Sequence, residues 1–277
     1  MLYQLSYTPA GEVRGYRRRR AKASICAKVA VMHGSNIQPI PSQLLLLAYR
    51  AGVFPMADSR DDPEIFWVEP RERATIPLDE YSPSRSLRKV LRQDRFRVSC
   101  NEAFGQVVRA CAAPRMVTGS DSDNAAEGNA ESGSWISHRI EASYRQLRDI
   151  GHAHSVECWQ DGADGEELVG GLYGVSFDRV FCGESMFSRA DNASKVALSW
   201  LVAAMRRAGF VLLDCQFMTD HLASLGAAAM PQEDYVMRVK AAQGEPACSL
   251  PRSFAAIHEE AAGSPGKLIA QSFTHTS

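Results

Sequence analysis

Residues 154–217 read HSVECWQDGADGEELVGGLYGVSFDRVFCGESMFSRADNASKVALSWLVAAMRRAGFVLLDCQF. Apolar and polar residues alternate over His154 to Trp159 and again over Leu168 to Ser176, with an Asp-Gly-containing turn at 160–167 between them. Arg179 to Phe187 adds a third strand, so the pattern predicts an antiparallel meander. Asn192 to Ala208 then places Leu198, Leu201, Val202 and Met205 on one helical face, and Gly209 stands just past its end as a stop. Val211 to Phe217 is apolar apart from Asp214 and Gln216, which predicts a central, buried strand.

Upstream, Ser42 is an N-cap candidate and Gly52 a stop for a short helix, followed by a sharp turn at Val53-Phe54-Pro55. Ser84 to Leu91 reads as a basic helix and Phe96 to Cys100 as a strand. Asn101 to Ala112 reads as a helix capped by Asn101, and Ile136 to Ile150 as another. Between them, Thr118 to Ser134 is too polar to bury anything and is expected to be a mobile surface loop. Residues 1–36 have no sustained period and are expected to be an irregular basic extension, with Met32 as an alternative start. Residues 37–81 form a small N-terminal domain in this reading, 82–243 the main domain, and 244–277 a flexible tail. The order of elements predicts an α+β fold, an α/β sandwich with helices on both sides of one mixed sheet.

Composition excludes several classes. The 277 residues are 45% hydrophobic and 23% charged, as in an ordinary globular protein. No apolar run approaches the ~20 residues of a membrane-spanning helix, and no apolar stretch with a cleavage site follows Arg17 to Arg20. A cytoplasmic protein without membrane contact is expected. The seven cysteines include no C-x-x-C pair, which argues for reduced thiols and no metal. His152, His154 and Cys158 lack further ligands at zinc spacing, and Cys182 with His154 lacks the surroundings of a nucleophilic thiol. A net charge of −1 requires any RNA contact to come from a local basic patch.

Several blocks occur in a telling order: Ala51-Gly52-Val53-Phe54-Pro55, Ser84-Arg85-Ser86, Gly151-His152-Ala153-His154-Ser155-Val156-Glu157, Val169-Gly170-Gly171-Leu172-Tyr173-Gly174-Val175 and Phe181-Cys182-Gly183-Glu184-Ser185-Met186-Phe187-Ser188-Arg189. Asn192-Ala193-Ser194-Lys195, Leu213-Asp214-Cys215-Gln216 and His221-Leu222-Ala223-Ser224-Leu225-Gly226-Ala227 follow. Together, from about 44 to 239, they resemble the leucyl/phenylalanyl-tRNA–protein transferase family. One departure is Gly34 to Pro39, where many members carry a Gly-rich segment. The resemblance implies a catalytic domain folded like the acyl-CoA N-acetyltransferases, preceded by a small domain, with a charged tRNA as acyl donor and no cofactor. The residues agree, because a coenzyme A site needs a Gly-rich turn at a helix N-terminus, and the turn Ser188 to Lys195 has no glycine.

The implied reaction moves leucine or phenylalanine, and also methionine, from tRNA to an acceptor protein with N-terminal Lys or Arg, marking it for N-end-rule degradation. The alternatives are a coenzyme A-dependent N-acyltransferase of the same fold and a non-catalytic tRNA-binding adaptor. Two residues apart on a strand, Asp214 and Gln216 should share one face. Asp214 is the candidate to accept the amine proton and Gln216 to orient the nucleophile or ester. The plainer reading is that they cap backbone groups or pair with a basic side chain. Glu184 would bind the donor's α-ammonium or join the proton relay, the alternative being an ion pair with Arg189. Because the family reading puts both Phe181 and Glu184 at the substrate, a β-bulge is expected at Gly183.

Leu172, Phe181, Met186, Leu201, Met205 and Leu213 match the family's aminoacyl pocket, or else are plain core. Trp67 and Trp135 match tryptophans that sandwich the terminal adenine, with Phe66 an alternative platform. Arg85, Arg88, Lys89 and Arg92 share a helical face, with Arg95 nearby, and together with Arg189 and Lys195 are the candidates for tRNA phosphate contact.

Overall fold

A computed structural model describes residues 16–19, 38–113 and 134–274. The predicted meander is its centre: β6 (Ala153–Gly162), β7 (Gly165–Phe177) and β8 (Val180–Ser188) pair antiparallel in sequence. The turn is tighter than expected, because Gln160↔Glu167, Asp161↔Glu166 and Gly162↔Gly165 stay in the ladder although the first two pairs are polar and, apart from the half-buried Gln160, exposed. A ladder hydrogen bond needs no apolar side chain, so polarity alone misplaces strand ends.

Four shorter strands complete the sheet: β4 (Glu72–Ile76), β5 (Arg97–Cys100), β9 (Leu212–Asp214) and β10 (Ala228–Pro231). The order is β10-β4-β9-β8-β7-β6-β5. Only β8 and β9 pair parallel, joined by the crossover helix α5 (Ala193–Ala208), so the sheet is mixed as predicted. Gly209, at φ +80°, ends α5 where the sequence placed its stop. Burial extends almost all round α5, well beyond the four residues of its predicted stripe.

The cause of that burial corrects the expected tail. Residues beyond 244 form α8 (Leu250–Glu260) and α9 (Pro265–Ser272), which cover the outer face of α5. Phe254 stacks on Trp200 with ring centroids 5.8 Å apart, and Ile257, Ile269 and Phe273 are buried. Leu250, Phe254 and Ile257 stand at i, i+4 and i+7, a helical stripe hidden within a Gly-, Pro- and Ala-rich composition. A backbone contact locks α9 onto α2 (Arg85–Arg92), since a Cβ at Gly266 would lie 2.0 Å from the Leu91 carbonyl oxygen.

The opposite face of the sheet carries α1 (Ser42–Arg50), α3 (Phe104–Ala112), α4 (His138–Asp149) and α7 (Gln232–Ala241) around a second apolar cluster. Ser42 is the first helical residue and Pro41 the cap, so the expected Ser42 cap is not formed. Asn101 does not cap α3 either: at φ +64° its side chain accepts the Ser155 N–H and meets His154 Nδ1, tying the β5 end to β6. β2 (Phe54–Met56) and β3 (Phe66–Pro70) form a small sheet with β1 (Tyr16–Arg19), which gives four residues of the expected irregular extension a strand. β4 already belongs to the large sheet, so the chain leaves the small unit near residue 71, earlier than the expected 81. The expected loop at 118–134 and the alternative start at Met32 lie outside the described residues, Ser134 excepted. Among the described residues the six cysteines are free thiols, and no helix is long and apolar enough to cross a membrane.

Candidate functional site

The parallel pairing of β8 with β9 is brief: Val180↔Leu212, Phe181↔Leu213 and Cys182↔Asp214, and then it stops. Two irregularities stand just beyond. On β8, Tyr173 pairs with Ser185 while Gly174 pairs with Gly183, so Glu184 is an extra, bulged residue. On the other side β9 ends, and Gln216 takes a left-handed φ of +64°. The two strands therefore part at their carboxyl ends, the position where sheets with parallel strands open a crevice for ligands. Gly174 permits the bulge, because a Cβ there would lie 2.2 Å from the Cys182 carbonyl oxygen and 2.4 Å from the Phe181 ring.

Glu184 is wholly buried and, among the described residues, has no cation beside it. Its Oε1 accepts from Tyr49 Oη at 2.7 Å, and its Oε2 from Tyr144 Oη at 2.9 Å and Gln216 Nε2 at 3.0 Å. Burial pushes its carboxyl up to about 7 against the pull of these three hydrogen bonds. Burial and then the nearby Glu184 charge hold Tyr49 and Tyr144 well above the usual phenol range. The predicted bulge is present, yet it does not bring Phe181 and Glu184 to one face. Phe181 packs in the α5-side cluster, whereas Glu184 turns to Tyr49 and Tyr144 on the other side. The alternative ion pair with Arg189 is not formed: Arg189 lies over the Phe187 ring and donates to the Leu168 carbonyl.

Asp214 is held differently. Its Oδ1 accepts Arg73 Nε at 3.1 Å and the Gln216 N–H at 2.9 Å, while its Oδ2 accepts Arg73 Nη2 and, at 3.2 Å, Tyr235 Oη. Arg73 is itself buried between the Phe54 and Tyr235 rings, at 5.0 and 4.3 Å from their centroids. Burial alone would lower its pKa, but the Asp214 charge raises it above the usual value. A carboxylate has about four lone-pair sites, and here all are taken. Both parts of the plainer reading of Asp214, a capped backbone group and a basic partner, are realised. The expectation that Asp214 and Gln216 share a strand face fails, because the strand ends at Asp214. Gln216 Oε1 makes no hydrogen bond among the described residues.

Leu172, Phe181, Met186, Leu201, Met205 and Leu213 all lie in one apolar cluster between the sheet and α5. Trp135 is buried and its indole N–H has no partner among the described residues. Phe66 and Val68 are buried while Trp67 between them is half-buried, so Trp67 takes the other side of β3. All three aromatics nonetheless belong to or border one cluster. Arg85, Lys89 and Arg92 are exposed and Arg88 half-buried on α2, and none is in an ion pair among the described residues. Arg95 is exposed too, over the Phe96 ring. Lys195, half-buried on α5, is close enough to His221 to lower its pKa after burial has done so. Ser188 Oγ accepts the Ser194 N–H, occupying a donor that a phosphate-binding turn would direct at the anion. His154 faces Asn101 and is pushed down to about 4 by burial, whereas Cys182 faces Tyr235 and is pushed well up, so the two do not form a thiol pair.

Tyr49, Tyr144, Arg73 and Tyr235 were not singled out in the sequence. One signal was available for Arg73, since an aspartate in an apolar strand requires a cation and Arg73 opens an otherwise uncharged run, Ala74 to Leu78.

The family described as "Leucyl/phenylalanyl-tRNA protein transferase" matches residues 75–240, and its separate N-terminal domain matches residues 40–71. A protein of Novosphingobium aromaticivorans named leucyl/phenylalanyl-tRNA–protein transferase is 52% identical over 88% of this chain and all of its own length. Proteins of the same name from Rhizorhabdus wittichii and Chlorobaculum tepidum are 52% and 46% identical over 75% and 73% of this chain, covering 77% and 94% of their own lengths. With the matched residues running through the small sheet, the bulge of β8 and the end of β9, this chain belongs to the leucyl/phenylalanyl-tRNA–protein transferase family.

Proposed function

We propose that this chain is an aminoacyltransferase that moves leucine or phenylalanine from charged tRNA to the N-terminal Lys or Arg of acceptor proteins in the cytoplasm, generating an N-end-rule signal. The observation that carries this reading is the end of the β8–β9 pairing, with the buried Gln216 just beyond it and the six apolar residues packed between the sheet and α5; the donor crevice opens there in this reading. The side chains of that cluster, none of them β-branched, suit leucine, methionine or phenylalanine and leave a charged donor side chain unpaired.

The ester of a charged tRNA is already activated, so the site must position a neutral amine and supply an acceptor for the hydrogen it loses. An α-amino group has a pKa near ~8, and part of it is neutral at pH 7. In this reading Gln216 Oε1 accepts a hydrogen bond from the attacking amine; as the C–N bond forms, the ester C–O bond to the terminal ribose breaks and the proton shed by the amine passes to the departing ribose oxygen. Asp214, clamped by Arg73 and Tyr235, holds the Gln216 backbone N–H, and Glu184 holds the Gln216 amide nitrogen. Trp135 and Trp67, with Phe66, supply stacking surface for the terminal adenine, and the cationic face of α2, with Arg189 and Lys195, meets the phosphates.

Radiolabelled leucine or phenylalanine on tRNA, offered to peptides differing only in residue 1, tests this. Transfer to Lys- and Arg-starting peptides that RNase abolishes is expected. Labelling that instead depends on acyl-coenzyme A, or tRNA binding without transfer in a single turnover, overturns it.

A further inference from the structure

The oxygens at the bulge outnumber the hydrogens that two phenols can provide. Tyr49 Oη lies 2.7 Å from Glu184 Oε1, Tyr144 Oη lies 2.9 Å from Glu184 Oε2, and the two hydroxyls lie 2.8 Å from each other. Each contact is of hydrogen-bond length, and each needs a proton between its oxygens. With Glu184 ionised, both phenol protons point at the carboxylate, as charge-assisted bonds require. The two hydroxyl oxygens would then face each other with lone pairs only. The remaining neighbour, Gln216 Nε2, gives its hydrogen to Oε2 and not to a phenol. Tyr173 packs its ring edge-on against Tyr144, and its hydroxyl has no partner among the described residues.

We propose that Glu184 is a neutral carboxylic acid in the resting protein, closing a three-proton ring with Tyr49 and Tyr144 that positions Gln216. The Glu184 proton sits on Oε1 and is donated to Tyr49; Tyr49 donates to Tyr144, and Tyr144 donates to Oε2. Oε2 is then a carbonyl oxygen that also accepts from Gln216 Nε2. Consequently the Gln216 amide has its nitrogen fixed toward the ring and its Oε1 turned away, toward the crevice. This role deepens the transfer reading above and rests on it for its purpose, although the ring itself does not.

The surroundings favour the neutral form. The groups facing Glu184 are Tyr49 from α1, Tyr144 from α4, Tyr173 from β7, Cys182 from β8, and Asp214 and Gln216 at the end of β9. None is a cation. Arg73 is spent on Asp214. Burial, with the Asp214 charge as a minor contribution, raises the carboxyl to about 7.

Infrared spectra of the full chain between pH 5.5 and 9, with Glu184→Gln as the comparison, test this. The expected result at pH 6 is a protonated carboxyl band that the variant lacks and that fades as pH passes about 7. Tyr144→Phe should move that band, because Oε2 loses a donor. In Glu184→Gln the amide N–H replaces the acid proton toward Tyr49, so melting at about pH 4.5 and below should match the native chain within about 2 °C. Sign matters above that pH. A carboxyl raised in the fold contributes stability that is complete below its unfolded pKa near 4.5 and lost as pH rises through about 7, so the native chain should lose melting temperature over this window relative to Glu184→Gln. Absence of the acid band at pH 6 or a band unmoved by Tyr144→Phe would each overturn the proposal. Band and melting do not depend on transfer, so a chain that transfers nothing refutes the functional reading while leaving the ring to be judged separately.

Discussion

Changing Asp214 to Asn keeps its shape but leaves the Arg73 guanidinium unneutralised where both side chains are at most 1% exposed. Removing one member of a buried pair costs ~3–5 kcal/mol, mostly for the charge left behind. Asn retains an acceptor for Arg73, so the lower end, about 3 kcal/mol, is expected. At ~2–4 °C per kcal/mol for a chain of this size, the melting temperature should fall by roughly 6–12 °C. Arg73→Met alone leaves the Asp214 charge stranded and should cost as much or more. The double variant removes both charges. In it, the introduced asparagine can still accept the Gln216 N–H with its side-chain oxygen and turn its amide nitrogen to Tyr235 Oη. Most of the stability should therefore return, giving a coupling of about 2–4 kcal/mol in a double-mutant cycle. Urea denaturation of the four proteins measures the cycle, and single-turnover transfer from charged tRNA is followed in parallel. With Asp214 as an orienting group, transfer should recover with stability to within roughly tenfold of the native rate. If stability returned and transfer remained ~10²–10⁴-fold low, Asp214 would be acting as a base, and the saturated-carboxylate argument would be refuted. Additive single effects, with no coupling, would refute the buried-pair argument itself.

Ending the chain after residue 244 should give an insoluble or loosely packed protein, because Phe254, Ile257, Ile269 and Phe273 each bury a side chain worth ~1.5–3 kcal/mol against a total stability of ~5–15 kcal/mol. A soluble truncated chain that melts as the full one does would show that α8 and α9 are dispensable. Reversing Arg88 and Lys89 to Glu should weaken binding of charged tRNA and reduce the slope of log affinity against log salt by about 2, with melting unchanged because neither side chain is buried. An unaltered salt slope would remove α2 from the RNA contact.

Much of this architecture is present in the order of residues alone. Alternation across 154–187 determines a meander, the spacing Leu198, Leu201, Val202, Met205 with Gly209 behind it determines the crossover helix, and the apolar run ending at Asp214 determines a central strand. Local periodicity is enough for these, since each element buries a face that its own residues define. The bulge was expected only from the resemblance, which put Phe181 and Glu184 on one face; it is present, but it turns the two to opposite faces. Strand ends, caps and the C-terminal helices were not legible in the order of residues. β9 stops at Asp214, and Gln216 turns left-handed because the Asp214 carboxylate holds its N–H, a bond made possible by Arg73, 141 residues earlier. Composition hid the stripe of Leu250, Phe254 and Ile257, whose meaning depends on Trp200 lying opposite. The partners of Glu184 come from α1 and α4, separated from it by 135 and 40 residues. No local pattern encodes such contacts. The charge state of a buried carboxyl is set by what the completed fold brings to its oxygens, and here that is two phenols and an amide in place of a cation.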